Sequence, residues 1–475
     1  MTWFRRTLLV CMVTLPLSAN LQNLTLHRAI NIVKKDNLEL KIARFTEQMK
    51  AYEAKATKGN NYGKLDVTLL GMRSNDAGNV FGFKLQSREA NFGDFGFSDF
   101  LQGVGGAMQA SNGDFQAFSD MMNNPQTQAQ MLATEPSDLN FPEARNHYQT
   151  KFSYMLPIYT GGKLSEYGRI MTSLYAMSKY DTQKLLNEKV YQTKKAFYDI
   201  TLVENYIHNL SKIMRNIRHL ERIVRTMKKE GYAKNIDVLE VQARKAEAES
   251  MLNQAKLNRE LAYQFLSFLL NQEVSSIHRV KENAPMPHID NKGLVKNNID
   301  IQKALLGLRI TKMAMGVQRA NFLPTVGAFA EYGSADNTLW NDFRAKDAYT
   351  IGFQVQWNLF NGGIDHANYE KAKLEYFQVQ EKVEWAKKGI ALQVKKLRTE
   401  ILSADADIRS YQKQLRFAKK VYQNYHARYK EGMVSISDVL IKQSKELEVL
   451  LKLLTVKNKR NTKIFELNSI LNRGE

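Results

Sequence analysis

Residues 349–360 read YTIGFQVQWNLF, with Tyr349, Ile351, Phe353, Val355, Trp357 and Leu359 on one side of a pleat. Thr350, Gly352, Gln354, Gln356 and Asn358 fall on the other. Alternation with period two predicts a strand with one apolar and one polar face. The pattern recurs at 147–157, where Tyr148, Thr150, Phe152, Tyr154 and Leu156 alternate with Gln149, Lys151, Ser153 and Met155. Segments 65–72, paired with 79–86, and 325–333 are the other strand candidates. Elsewhere the period is helical. Val203, Leu210, Ile217 and Val224 recur every seven residues, and Tyr206, Ile213, Leu220 and Met227 follow three positions behind. Val394, Ile401, Ile408, Leu415, Tyr422 and Tyr429 make one later row, and Leu397, Ala404, Tyr411, Ala418 and Tyr425 its companion. Such heptad rows bury an apolar stripe against neighbouring helices.

These patterns come in two copies. Gly161-Gly162 follows one strand in PIYTGGK, and Gly362-Gly363 follows another in NLFNGGI; Gly162 and Gly363 are 201 positions apart. Gly231 and Gly432, in KKEGYAKNIDVLEVQ and YKEGMVSISDVLIKQ, are separated by the same 201. Two anchors at one ungapped offset point to an internal duplication. The 69 positions from Gly162 to Gly231 correspond to about 100 Å of helix. Each predicted long helix, 162–230 or 363–431, ends at a glycine suited to a left-handed C-terminal turn, and a second helix returns after a tip at 231–237 or 432–438. KDNLELKIA around Asn37 matches KNNIDIQKA around Asn298 at an offset of 261, so the first copy holds 60 additional residues before Gly161. They correspond to 86–145, rich in Gly, Phe, Asn, Gln and Met, which reads as a long loop holding at most a short helix. The expected organisation is a signal at 1–19, a first repeat at 20–271, a linker at 272–296 and a second repeat at 297–475.

Composition narrows the function. The 475-residue chain has a formal charge of +20, with most Lys interleaved among Glu, Asp and Gln in helical stretches, the pattern of a solvated helical surface. Met1–Ala19 has Arg5 and Arg6, an apolar run from Leu8 to Leu17, then Ser18-Ala19, the layout of a cleavable export signal. The single cysteine, Cys11, lies inside that signal, so an exported mature chain has no disulfide, thiolate zinc site or thiol nucleophile. No other apolar run reaches 18 residues, which leaves a closed β-barrel as the route into a membrane. Four strands cannot close one, since about eight is the minimum, so the barrel must be shared among chains. No enzyme is expected. GGKLS lacks the phosphate-loop pattern, with Pro157 in place of the first Gly and Leu164 in place of the Ser or Thr after Lys163. No HExxH, nucleophile elbow or Cys/His cluster occurs, so no catalytic residue, metal or cofactor is assigned.

On PIYTGGK, LFNGG, RANFLPTVGAFAEYG and both tips, the chain resembles the TolC family of outer-membrane efflux and secretion channels from about Leu24 to Leu471. The resemblance implies a mainly α fold with a β-barrel portion, in which a homotrimer builds one barrel from four strands per chain. A long periplasmic α-helical barrel continues it, girdled by an equatorial belt from 272–296 and the C-terminal end. The implied location is the outer membrane of a Gram-negative-type cell, in contact with its lipid and extending into the periplasm. The implied role is an exit duct, without chemistry or nucleic acid, for a tripartite efflux pump or type I secretion system. Its partners would be a periplasmic adaptor (membrane fusion) protein and an inner-membrane RND, ABC or MFS-type transporter.

The resemblance also implies a gate or latch at Asp237, Tyr429 and Asp438. Val434 stands where the family's latch has an arginine and Ile441 where a second constriction aspartate belongs, with Arg428 and Lys234 the available substitutes. Adaptor docking falls on Gly231, Tyr232, Ala233, Gly432, Met433 and Val434, and the strand-to-helix turns on Gly161, Gly162, Gly362 and Gly363. An exported or basic coiled-coil structural or nucleic-acid-binding protein is the alternative.

Overall fold

The computed structural model describes residues 21–281, 283–288, 297–339 and 343–472. The export-signal reading of 1–19 and part of the 272–296 linker lie outside the described residues. The chain divides into two compact units, one built from the segments to Glu53, Met171–Lys312 and from Lys373, the other from Ala54–Ile170 and Met313–Ala372.

The first unit is helical. It holds α1 (Leu26–Asp36), most of α2 (Leu38–Gly59), and the greater part of two 67-residue helices, which we number below as α8 (Lys163–Lys229) and α11 (Ile364–Lys430). The returning helices are α9 (Asn235–Leu270) and α12 (Ile436–Ile470), and α10 (Ile299–Arg319) starts the second copy. The heptad rows form the core. Leu210, Ile213, Ile217, Leu220 and Val224 of α8 pack with Val238 and Val241 of α9, Tyr422 and Tyr429 of α11, and Val439 and Leu440 of α12. Burying such a stripe is what holds helices this long in register, because helix propensity alone is weak. The duplication extends to single hydrogen bonds. Asn37 Oδ1 accepts from Leu40 N (3.1 Å) and its Nδ2 donates to Leu269 O (2.9 Å). Asn298 repeats both bonds, to Ile301 N (3.0 Å) and Ile470 O (2.9 Å). In each copy one amide caps a helix start and ties it to the end of the returning helix.

The second unit carries a four-stranded antiparallel sheet in the order β1 (Lys64–Ser74), β2 (Arg145–Tyr159), β3 (Thr325–Asp336), β4 (Asp347–Gln356). Its register aligns the apolar positions into one face. Leu65 pairs with Tyr154, which pairs with Ala330, which pairs with Ile351; Val67, Phe152, Tyr332 and Tyr349 form the next row. Most of this face is open, with Leu69, Ile351 and Phe353 about three-quarters exposed. The opposite face holds Asp66, Ser153, Glu331 and Thr350 in one row, with Lys151 Nζ 3.1 Å from Glu331 Oε1. β1 and β4 are the sheet's two edges.

Three expectations change here. Residues 79–86 are helical, within α3 (Ala77–Gln86), not a strand. Asp76 Oδ1 caps this helix by accepting from Asn79 N (3.0 Å), and Val80 and Phe83, three apart, form its buried side. The 349–360 strand ends at Gln356, because its partner there is Thr325, the first residue of β3. Pro324 precedes it and has no N–H to extend the ladder. The 86–145 segment is helical rather than a loop: α4 (Phe97–Ala110), α5 (Phe115–Asn123), α6 (Pro125–Leu132) and α7 (Ser137–Asn140). Three of its polar residues, Asn91, Asp114 and Asn124, are helix caps. Asp114 Oδ1 accepts from Gln116 N (2.9 Å), and Asn124 Oδ1 accepts from Gln126 N (2.8 Å) with Pro125 at the first helical position.

Candidate functional site at the helix tips

Both tips are built alike. Gly231 has φ +85° and Gly432 φ +75°, values a side chain strains to adopt. Tyr232 N donates to Met227 O (2.7 Å) and Gly231 N to Lys228 O (3.1 Å); Met433 N to Arg428 O and Gly432 N to Tyr429 O are both 3.0 Å. These paired bonds close the orphan carbonyls of a helix end around a left-handed residue. The returning helices then start on carboxylates. Asp237 Oδ2 accepts from Lys234 N (2.7 Å). Asp438 Oδ2 accepts from Ser435 N (3.2 Å) and from Ser435 Oγ (2.7 Å), while Ser435 Oγ accepts from Asp438 N (3.1 Å), a reciprocal capping box. The Ser435 hydrogen bonds hold the Asp438 carboxyl below the usual carboxylate range.

The six docking candidates separate into three pairs. Tyr232 (81% exposed) and Met433 (62%) project outward, whereas Ala233 and Val434 pack inward on the tip core. Gly231 and Gly432 form the turns themselves. Of the three gate candidates, Tyr429 is 6% exposed inside that core, and Asp237 and Asp438 are half-buried. Burial first, then the nearby Asp237 charge, pushes the Tyr429 phenol up. Asp237 and Tyr429 are thus neighbours, with no hydrogen bond between them among the described residues. Of the substitutes for the missing arginine, Arg428 lies 5.9 Å from the Tyr425 ring and Lys234 offers Asp237 its backbone N–H.

Two contacts and one unpaired side chain near the tips add to the residues singled out from the sequence. Ser437 Oγ donates to Glu240 Oε2 (2.6 Å), joining the two returning helices. Lys442 Nζ sits 5.0 Å from the Tyr425 ring centroid, joining α12 to α11. Gln443 is fully buried, with neither amide atom hydrogen-bonded. Only the last had a signal in the sequence, since Gln242 and Gln443 are identical at the 201-residue offset.

At the other end of the long helices, Gly161 and Gly162 have φ of +63° and +86°, and Gly362 and Gly363 of +55° and +81°. A Cβ on Gly161 would lie 2.7 Å from Ala320 O, so the backbones there approach closer than any side chain permits. Trp357 Nε1 donates to Phe322 O (3.1 Å) and Lys163 Nζ to Asn321 Oδ1 (3.2 Å), bracing each turn against the segment entering β3. Among the described residues, no cluster of three or more His, Cys, Asp or Glu is placed to hold a metal, and no helix is long and apolar enough to cross a membrane.

Residues 293–473 match the family model described as outer membrane efflux protein. The solvent efflux pump outer membrane protein SrpC of Pseudomonas putida is 30% identical over 158 residues, 31% of this chain and 32% of that protein. The toluene efflux pump outer membrane protein TtgI, also of Pseudomonas putida, matches with the same figures. Either alignment spans about a third of the relative's length. Among solved structures, CusC has a TM-score of 0.75 at 15% identity, over 94% of this chain and 91% of its own. The Campylobacter jejuni outer membrane channel CmeC scores 0.73 at 16% identity, covering 94% and 86%. VceC, an outer membrane protein of Vibrio cholerae, scores 0.71 at 14%, covering 94% and 95%. Residues 293–473 are thus similar to the outer membrane efflux protein family, and the chain has the TolC-like fold of the outer-membrane channels it matches.

Proposed function

We propose that this chain is the outer-membrane exit duct of a tripartite efflux pump, working as a homotrimer with a periplasmic adaptor and an inner-membrane transporter. The observation that carries the reading is the sheet. It presents one continuous apolar face, a polar face and two edges, and four strands are too few to close. Three copies would give twelve strands in one barrel, with the apolar face toward lipid and Lys151, Glu331 and Thr350 toward water. Exposed apolar residues on the long helices, such as Trp385, Leu392 and Phe417, fit burial against neighbouring copies. In this reading Tyr232 and Met433 meet the adaptor, and Asp237, Tyr429 and Asp438 line or latch the closed end. The repeat boundaries at 271 and 297, with the linker between them, mark where the two copies join. Because two relatives are named for solvent and toluene efflux, apolar solvents are the first cargo to test.

Membrane fractionation tests the reading. The chain should be recovered with the outer membrane and run in detergent as a heat-sensitive oligomer of about three times its 54.6 kDa. Its deletion should sensitise cells to toluene. A detergent-free, fully helical monomer would refute it.

A further inference from the structure

The 56 residues between Arg88 and Arg145 contain eight Asp and Glu and no Lys or Arg. That segment carries a formal charge of −8, against +28 for the rest of a chain whose total is +20. It runs from the end of α3 into β2, at the end of the sheet where Ser74 pairs with Arg145, opposite the glycine turn that follows β2. The segment is firmly attached there. Arg145 pairs with Glu89, Lys84 with Asp94, and Lys346 bridges Glu89 (2.5 Å) and Asp336 (2.7 Å). Phe83 stacks on the buried ring of His147 at 4.2 Å, and Asp99 Oδ2 accepts from Ser137 N (2.9 Å), tying α7 to α4.

On this anchored base the surface combines two features. Phe92, Phe97 and Phe100 form a contiguous aromatic strip, with successive ring centroids 6.0 and 6.3 Å apart, and Phe92 is 81% exposed. Asp120, Glu135 and Glu143 are exposed and make no ion pair among the described residues. An open aromatic strip buries apolar side chains and attracts cations to its ring faces, and unpaired carboxylates attract them at longer range. We propose that the segment 89–144 is a docking surface for a cationic amphipathic polypeptide supplied from outside this chain.

Charge complementarity selects that occupant over a second copy. The cations this chain has around the same end of the sheet are engaged within it: Lys84, Arg145 and Lys346 pair with its own carboxylates, Arg73 donates to Asn146 Oδ1 and Arg88 to Asp347 O. A neighbouring copy would bring another −8 and no free partner from that set. An anionic lipid surface is disfavoured by the same sign.

The test uses the full-length oligomer in an uncharged detergent and a fluorescent 18-residue amphipathic peptide of Lys and Leu, with a Glu/Leu peptide of the same pattern as control. The Lys/Leu peptide should bind and the control should not. Affinity should fall at least about tenfold between 50 and 500 mM salt, as screening of exposed charges requires. Phe92→Ser with Phe97→Ser, and separately Asp120→Asn with Glu135→Gln and Glu143→Gln, should each weaken binding at least about tenfold without changing oligomeric state. Equal binding by both peptides, or undiminished binding by either variant set, would overturn the proposal. Conversion of the Phe variant to monomers would overturn it in favour of a second copy as occupant. These outcomes do not depend on whether the chain exports solvents.

Discussion

Replacing Gln443 with Leu should stabilise the helical unit, and the same substitution at its repeat partner Gln242 should destabilise it. Gln443 lies between Leu440 and Leu447 on the buried side of α12, at 0% exposure, with both Nε2 and Oε1 unpaired. A buried polar group without a partner costs about 1–3 kcal/mol, and an apolar side chain of similar shape removes that cost. Gln242 is half-buried and hydrogen-bonds to the Glu221 carboxylate, which also holds Arg225 Nη2 (2.8 Å) and Lys245 Nζ (3.1 Å). Because those two cations remain on the carboxylate, the loss at Gln242 should be about 1 kcal/mol, that of an ordinary hydrogen bond rather than the roughly 1.5–3 kcal/mol of one to a charged group. For domains of 150–250 residues, 1 kcal/mol moves the midpoint by about 2–4 °C. Gln443→Leu should therefore raise the unfolding temperature by roughly 4–8 °C for a gain of about 2 kcal/mol, and Gln242→Leu should lower it by about 2–4 °C. Far-UV circular dichroism on the detergent-solubilised protein, at one scan rate, reads both. Shifts of the same sign would refute the reasoning, because repeat symmetry rather than local pairing would then set the effect.

The latch is tested by Tyr429→Phe. Tyr429 Oη has no hydrogen-bond partner among the described residues but, unlike the Gln443 amide, keeps contact with solvent, so the change should leave stability within about 0.5 kcal/mol while raising single-channel conductance if the phenol latches neighbouring chains; unchanged conductance assigns it to packing. Asp237→Ala should additionally cost about 1 kcal/mol through the lost bond to Lys234 N. At the strand-to-helix turns, Gly161→Ala should reduce the yield of folded oligomer more than Gly362→Ala. Both positions have positive φ, but only Gly161 would place its Cβ against Ala320 O and Leu323 Cβ, whereas Gly362 faces open space; equal yields would contradict the close approach. His426 supplies a pH test. Burial, then Lys430 and His219, hold its imidazole below the usual 6.5, so the unfolded chain takes the proton first and stability drops as pH falls through 6.5. His426→Gln should flatten the decline in unfolding temperature between pH 7 and 5, and an unchanged slope would place the titrating group elsewhere.

Much of the architecture is written locally in the chain. Heptad rows such as Leu210, Ile217 and Val224 are buried because a 3.6-residue period forces them onto one side of a helix. Tyr349, Ile351 and Phe353 share an exposed face because a strand has period two. Gly231 and Gly432 end their helices because only glycine takes positive φ without strain. Segment 86–145 was not legible in this way. Its Asp, Asn and Gly residues carry the same signature in a loop as at a helix cap, and α5, α6 and α7, of 9, 8 and 4 residues, are too short to show a period. The tip site was legible in position but not in pairing. Sequence distinguishes neither exposed Met433 from inward Val434, adjacent in the chain, nor satisfied Gln242 from unsatisfied Gln443, identical in type. Those distinctions arise only when α8, α9, α11 and α12 converge, because burial and hydrogen-bond partnership belong to the neighbours a side chain meets in space.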